Sequence, residues 1–117
     1  MNENIKNIAE HYGYDSQSRM MIEEMAELAQ AINKLYRARG KGQPTDIDIK
    51  EALDHIHEEM ADVEIVLDQI KFLLGCEANV KIWKDIKIAR QVKRIEAEDD
   101  RKKAERMANR IRELVKE

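Results

Sequence analysis

The stretch DIKEALDHIHEEMADVEIVLDQIKFLL, residues 48–74, decides the fold class. Its apolar residues Ile49, Leu53, Ile56, Met60, Val63, Leu67, Ile70 and Leu74 alternate spacings of four and three, the repeat of one face of a helix. No Gly or Pro interrupts it, and Gly75 follows where a left-handed C-cap would end it. The pattern predicts a helix over about 48–74, capped by Thr45 or Asp46.

Upstream, Gly40-Lys41-Gly42-Gln43-Pro44 is the one cluster of helix breakers. It separates this helix from a second helical pattern over about Gln17–Arg39, with Asp15 or Ser16 as its cap. Before that, Ile5, Ile8, Ala9 and Tyr12 mark a short helical stretch over about 2–12, ended by Gly13. Downstream, a further helix starts near Ala78 and carries Ile82, Trp83, Ile86 and Ala89. The tail beyond Glu98 is charged, with a thin stripe of Met107, Ile111 and Leu114, and either continues the helix or breaks at Asp99-Asp100. One Pro, four Gly and 4% aromatic residues leave little material for strands. The expectation is an all-α, four-helix-bundle-like fold with a short N-terminal helix, one domain over 1–117, with 96–117 a charged helical extension.

At 117 residues the chain has enough length for a core but little for an enclosed enzyme cavity, so a homo-oligomer is expected. The formal net charge of −3 arises from interspersed acids and bases, which makes no case for a nucleic-acid polymer or a membrane surface. No apolar run reaches membrane-spanning length, and Met1-Asn2-Glu3-Asn4 lacks a signal-peptide pattern, so the expected location is cytoplasmic. Cys76 is the single cysteine, which excludes an intrachain disulfide and a thiolate metal site.

Two acidic motifs carry the chemistry: Glu24-Met25-Ala26-Glu27 and Glu59-Met60-Ala61-Asp62. Carboxylates three apart on a helix are neighbours on its surface. Taking Met21, Met25, Leu28, Ile32 and Leu35 as the core direction of the second helix, Glu24 lies roughly 50° from it and Glu23 roughly 150° away. On the 48–74 helix Glu59 lies about 55° from the core direction and Glu58 about 155°. Both motifs sort alike, with Glu24 and Glu59 inside, Glu27 and Asp62 on the flanks, and Glu23 and Glu58 in solvent. A buried carboxylate is costly unless a cation meets it. The cation is either a shared hard metal, Mg²⁺ or Mn²⁺, or a lattice of salt bridges to Lys34, Lys50 or the arginines of the last helix. A di-iron carboxylate bundle would use Glu-x-x-His, whereas here the positions after Glu24 and Glu59 are Glu27 and Asp62. His55, one turn before Glu59, is either an outer partner of the site or a partly exposed histidine; His57 and His11 have weaker claims.

With His11-Tyr12-Gly13, Gln17, Glu23-Glu24, Glu27-Leu28, Glu58-Glu59, Ala61-Asp62-Val63 and a basic last helix holding Arg90 and Arg94, these motifs resemble the MazG-like all-α nucleoside triphosphate pyrophosphohydrolases, in particular their small single-domain bacterial and phage members. The resemblance spans about residues 8–95 and is specific for the superfamily, not for a substrate. It implies cleavage of a nucleoside triphosphate between the α and β phosphates, with Glu24, Glu27, Glu59 and Asp62 as Mg²⁺ ligands and catalytic residues. It also implies a homodimer or homotetramer whose subunits jointly surround each site. The connection between the motifs is longer here than in compact members.

Candidates for substrate contact are Lys34, on the Glu27 side two turns on, Arg90 and Arg94 on the last helix, Gln17, whose amide suits a base or sugar edge, and Trp83, which would stack on a base or belong to the core. Arg90 equally suits pairing with a site carboxylate, and Lys81, Lys84 and Lys87 read as a solvated face. The readings left open are a house-cleaning nucleotide pyrophosphohydrolase, a sibling acting on phosphoribosyl-ATP or a regulatory nucleotide, and a non-enzymatic helical interaction protein.

Overall fold

In the computed structural model, which describes residues 1–116, the chain is three helices, α1 (Glu3–Ala38), α2 (Ile49–Leu74) and α3 (Glu77–Lys116), with no strand among the described residues. The all-α expectation holds. Among the described residues, no helix is long and apolar enough to cross a membrane. The chain divides into two compact units, Met1–Glu77 and the residues from Ala78 onward.

Local chemistry accounts for the helix ends. Asn2 caps α1 by accepting from the amide of Asn4 at 2.8 Å. The side chain of Asp48, not of Thr45 or Asp46, caps α2, accepting from the Glu51 amide at 2.8 Å. Thr45 instead accepts from Ile47 within the connection, at 3.3 Å. Gly75 closes α2 in the left-handed conformation, φ 60° and ψ 34°, and the next amide, Cys76, bonds back to Lys71 at 3.0 Å. Gly13 also breaks the backbone as expected, at φ 82° and ψ 170°, a region essentially reserved for glycine. The break is a kink inside α1, so the predicted short first helix and the second are two arms of one element. No break occurs at Asp99-Asp100; α3 runs through to Lys116.

In the first unit α1 packs along α2. The pairing is antiparallel, since Gln17 meets Gln69 near one end and Glu24 meets Glu59 further in. The contact line is not centred on the large apolar residues that the spacing suggested. On α1 it runs through Gln17 and Ala31, both buried, with Glu24 midway between them at intervals of seven. On α2 it runs through Ala52, Ile56, Glu59, Val66 and Gln69. That face of α2 is turned by roughly 70° from the mean direction of Leu53, Ile56, Met60, Val63, Leu67 and Ile70. Met60 and Met25, each 47% exposed, lie outside it, as do Ile32, Leu53 and Leu67. The physical reason is close approach: Ala31 and Ala52 have almost no exposed surface, and small residues on a helix–helix line let the backbones come together. The rotation carries both inner acids to the middle of the interface.

The second unit is α3, and none of its residues is buried. Most of its large apolar side chains, Trp83, Ile86 and Ile95 among them, are exposed.

Candidate metal centre

Glu24 and Glu59 enter the α1–α2 interface because the heptad lines that carry Ala31 and Ala52 also carry them. One oxygen from each of Glu24, Glu27 and Glu59 lies within 4.8 Å of the others. Glu59 is 7% exposed, Glu24 is half-buried, and Glu27 is at the exposed lip. Glu23 and Glu58 are exposed, so the sorting of the two motifs into inner and outer acids is the one expected. Asp62 is half-buried and outside the three-oxygen group, but its charge acts on Glu24.

The electrostatics are those of an unneutralised acidic cluster. Burial pushes the Glu24 carboxyl above its usual range, and the neighbouring charges of Asp62, Glu27 and Glu59 push it the same way. Oε2 of Glu24 and Oε2 of Glu59 are both buried without a hydrogen-bond partner. The other oxygen of Glu59 is 3.2 Å from Nε2 of His55, whose side chain is 37% exposed. His55 is partly in solvent, as one of the two readings had it, and is also a hydrogen-bonding partner of Glu59. The three ion pairs among the described residues include neither Lys34, Lys50 nor an arginine, and none neutralises Glu24 or Glu27. Orphaned buried oxygens in an all-oxygen donor set fit a hard divalent cation such as Mg²⁺ or Mn²⁺. Glu24, Glu27 and Glu59 would hold it.

The remaining candidate residues fall in three places. Gln17 is buried on the same line of α1 two turns before Glu24, and its amide nitrogen donates to Oε1 of Gln69 at 2.6 Å, while its own oxygen accepts from Ser16. Lys34 is half-buried at the far end of α1, beside a cavity that also includes Arg37. Trp83, Arg90 and Arg94 are exposed residues of the second unit.

Two contributors escaped the sequence reading. Gln69, 2% exposed, is a polar residue one position before Ile70 in the apolar repeat, and only the packing of α1 reveals it as a buried partner. Arg37 had a legible signal, since it stands one turn after Lys34 in a run without any acid from Leu28 to Thr45. The chain matches no protein-family model, no curated protein and no solved structure.

Proposed function

We propose that this chain is a divalent-metal-dependent nucleoside triphosphate pyrophosphohydrolase, forming a nucleoside monophosphate and pyrophosphate. The observation that carries this reading is the meeting of Glu24, Glu27 and Glu59 at one point of the α1–α2 interface, with two buried carboxylate oxygens left without a partner. The likeness of the two acidic motifs to the MazG-like enzymes adds the choice of reaction.

A bound Mg²⁺ at such a centre supplies charge neutralisation for the triphosphate and a lowered pKa for a water at the site. The chain's own groups supply the rest. Glu24, Glu27 and Glu59 hold the ion, with Asp62 completing the acidic wall, and His55 fixes the rotamer of Glu59. The water's oxygen bonds to phosphorus at the α–β bridge, the bridging oxygen leaves with the other phosphate, and a carboxylate of the cluster takes the water's proton. Phosphoryl transfer of this kind depends on positioning and charge more than on a covalent intermediate. Lys34 is the cation of the first unit assigned to the phosphates; the likeness to the MazG-like enzymes alone nominates Arg90, Arg94 and Trp83, and the Gln17 amide is already engaged by Gln69.

Assembly belongs to the same proposal. Met25, Ile32, Leu53, Met60 and Leu67 form an exposed apolar flank on the first unit. The second unit is a 40-residue helix with nothing buried, and helices draw most of their stability from packing an apolar face. A homodimer or homotetramer covers such surfaces. The same observation favours the second reading, an interaction protein without catalysis.

The test is release of pyrophosphate from a panel of ordinary and modified nucleoside triphosphates and phosphoribosyl-ATP, in Mg²⁺, Mn²⁺ or EDTA. Metal-dependent release with the matching monophosphate, lost in Glu24→Gln, supports the hydrolase and ranks its substrates. A folded, metal-loaded protein that turns over none of them favours the interaction protein.

A further inference from the structure

The last turns of α1 and the connection to α2 gather charge of the opposite sign. Between Leu28 and Thr45 the sequence holds Lys34, Arg37, Arg39 and Lys41 and no acid, although the whole chain carries −3. None of these four is in an ion pair among the described residues. Lys34 and Arg37, one helical turn apart, line a cavity of about 430 Å³ together with Gln30, Asn33, Tyr36, Gly42 and Gln43. That volume lies in the usual range for small-molecule sites, about 300–1,000 Å³.

The connection is folded onto the helix to make this cavity. Gly42, at φ 64°, lies so close to α1 that a Cβ there would sit 3.4 Å from the Tyr36 ring and 3.7 Å from Cγ of Arg37. Main-chain oxygens at a helix end would repel an anion, but several here are occupied. Arg39 donates to Leu35 at 3.0 Å, Gly40 to Arg37 at 2.9 Å and Lys41 to Tyr36 at 3.3 Å. Nε of Arg37, by contrast, is buried with no acceptor. A desolvated guanidinium N–H without a partner is costly, and its fork geometry matches a phosphate or carboxylate. The cavity thus has two cationic residues and no acid among those that line it.

We propose that this pocket is a phosphate site that takes the terminal phosphates of the nucleotide whose α–β bridge lies at the carboxylates. The preference for an anion stands on the pocket alone; its assignment to the substrate's own phosphates rests on the hydrolase reading. Lys34 and Arg37 are seven and ten residues beyond Glu27, roughly 10 and 15 Å of helix rise, and long helix side chains lean back towards the N-terminus, so the terminal phosphates would be met by the ends of these two side chains. Arg37 is the recognition residue that this adds, with Lys34 as the second charge.

The probe is inorganic pyrophosphate, titrated calorimetrically into the full chain in EDTA, so that no metal links it to the acids. Saturable binding is expected, weakened at least tenfold by Arg37→Ala and by Lys34→Ala, partly kept by Arg37→Lys and unaffected by Lys84→Ala. Circular dichroism melts establish that each variant is folded. Absence of binding, or equal weakening by Lys84→Ala, overturns the site. With Mg²⁺ and a triphosphate that the wild type hydrolyses, Arg37→Ala is expected to raise KM about tenfold. An unchanged KM, with the EDTA binding lost, overturns the assignment to substrate and leaves a separate phosphate ligand. Pyrophosphate binding without any turnover would contradict the hydrolase and not the pocket.

Discussion

Glu59 and Glu24 face the same difficulty, a carboxylate oxygen held away from water with no donor to meet it. Neutralising Glu24 therefore relieves repulsion when no metal is present. Glu24→Gln is expected to stabilise the protein in EDTA near neutral pH by on the order of 1 kcal/mol, read as a melting temperature higher by a few degrees. Added Mg²⁺ or Mn²⁺ should then raise the melting temperature of the wild type and leave that of the variant unchanged. The pH dependence has a definite sign. Burial and the neighbouring acids raise the Glu24 pKa above its usual 4.5, so the metal-free fold holds this proton more tightly than the unfolded chain does. The resulting stability is fully present below pH 4.5 and is lost as pH rises through the folded-state pKa. In EDTA, the melting temperature of the wild type minus that of Glu24→Gln should fall with rising pH across that window. A difference that grows would show that the carboxylate is stabilised in its charged form. At this scale the sequence was informative, because helical periodicity alone separates Glu24 and Glu59 from Glu23 and Glu58. The burial of Gln17 was not legible, because its partner Gln69 comes from the other helix and depends on the rotation of α2.

Individual elements follow their breakers closely. Gly13, Gly40, Gly42 and Gly75 all adopt positive φ, and they fall at the breaks that the sequence marks. Gly13 and Gly75 offer a clean comparison, since a Cβ at either would meet nothing within 4 Å and only the backbone conformation matters. Gly75 is in the left-handed helical region, which other residues reach at roughly 1 kcal/mol. Gly13, at φ 82° and ψ 170°, is where side-chain-bearing residues cost about 1–3 kcal/mol. Chemical denaturation should therefore find Gly13→Ala more destabilising than Gly75→Ala; the reverse order would mean that the kink is not required by the fold. The capping of α2 was misread by two to three residues because Thr45, Asp46 and Asp48 are all competent caps, and only the path of the connection selects Asp48. The direction of the α2 core was misread for a related reason. An alternating four-and-three repeat defines an apolar face about 100° wide, and the alanines Ala31 and Ala52 decide which edge of that face the partner helix covers.

At the scale of the whole molecule, the proposed assembly is what covers the exposed apolar flank of the first unit and the apolar residues of α3. Light scattering is expected to give the mass of a dimer or tetramer at micromolar concentration. Met60→Asp should shift it towards the monomer with the helix content retained, since Met60 is already half in solvent. A monomeric wild type would contradict the assembly. All-helical character was legible from composition and spacing, as was the meeting of the two acidic motifs, since both inner acids point to a common core. The basic pocket was legible only as an acid-free run, because its walls come from a loop that folds back onto α1.

The central claim, that Glu24, Glu27 and Glu59 form a divalent-cation centre, is tested most directly by Mn²⁺ binding, followed by electron paramagnetic resonance on the wild type, Glu24→Gln, Glu59→Gln and the outward-facing Glu58→Gln. Saturable binding is expected, lost in the first two variants and retained in the third. Binding that is absent from the wild type, or that falls equally in all three variants, would contradict that claim.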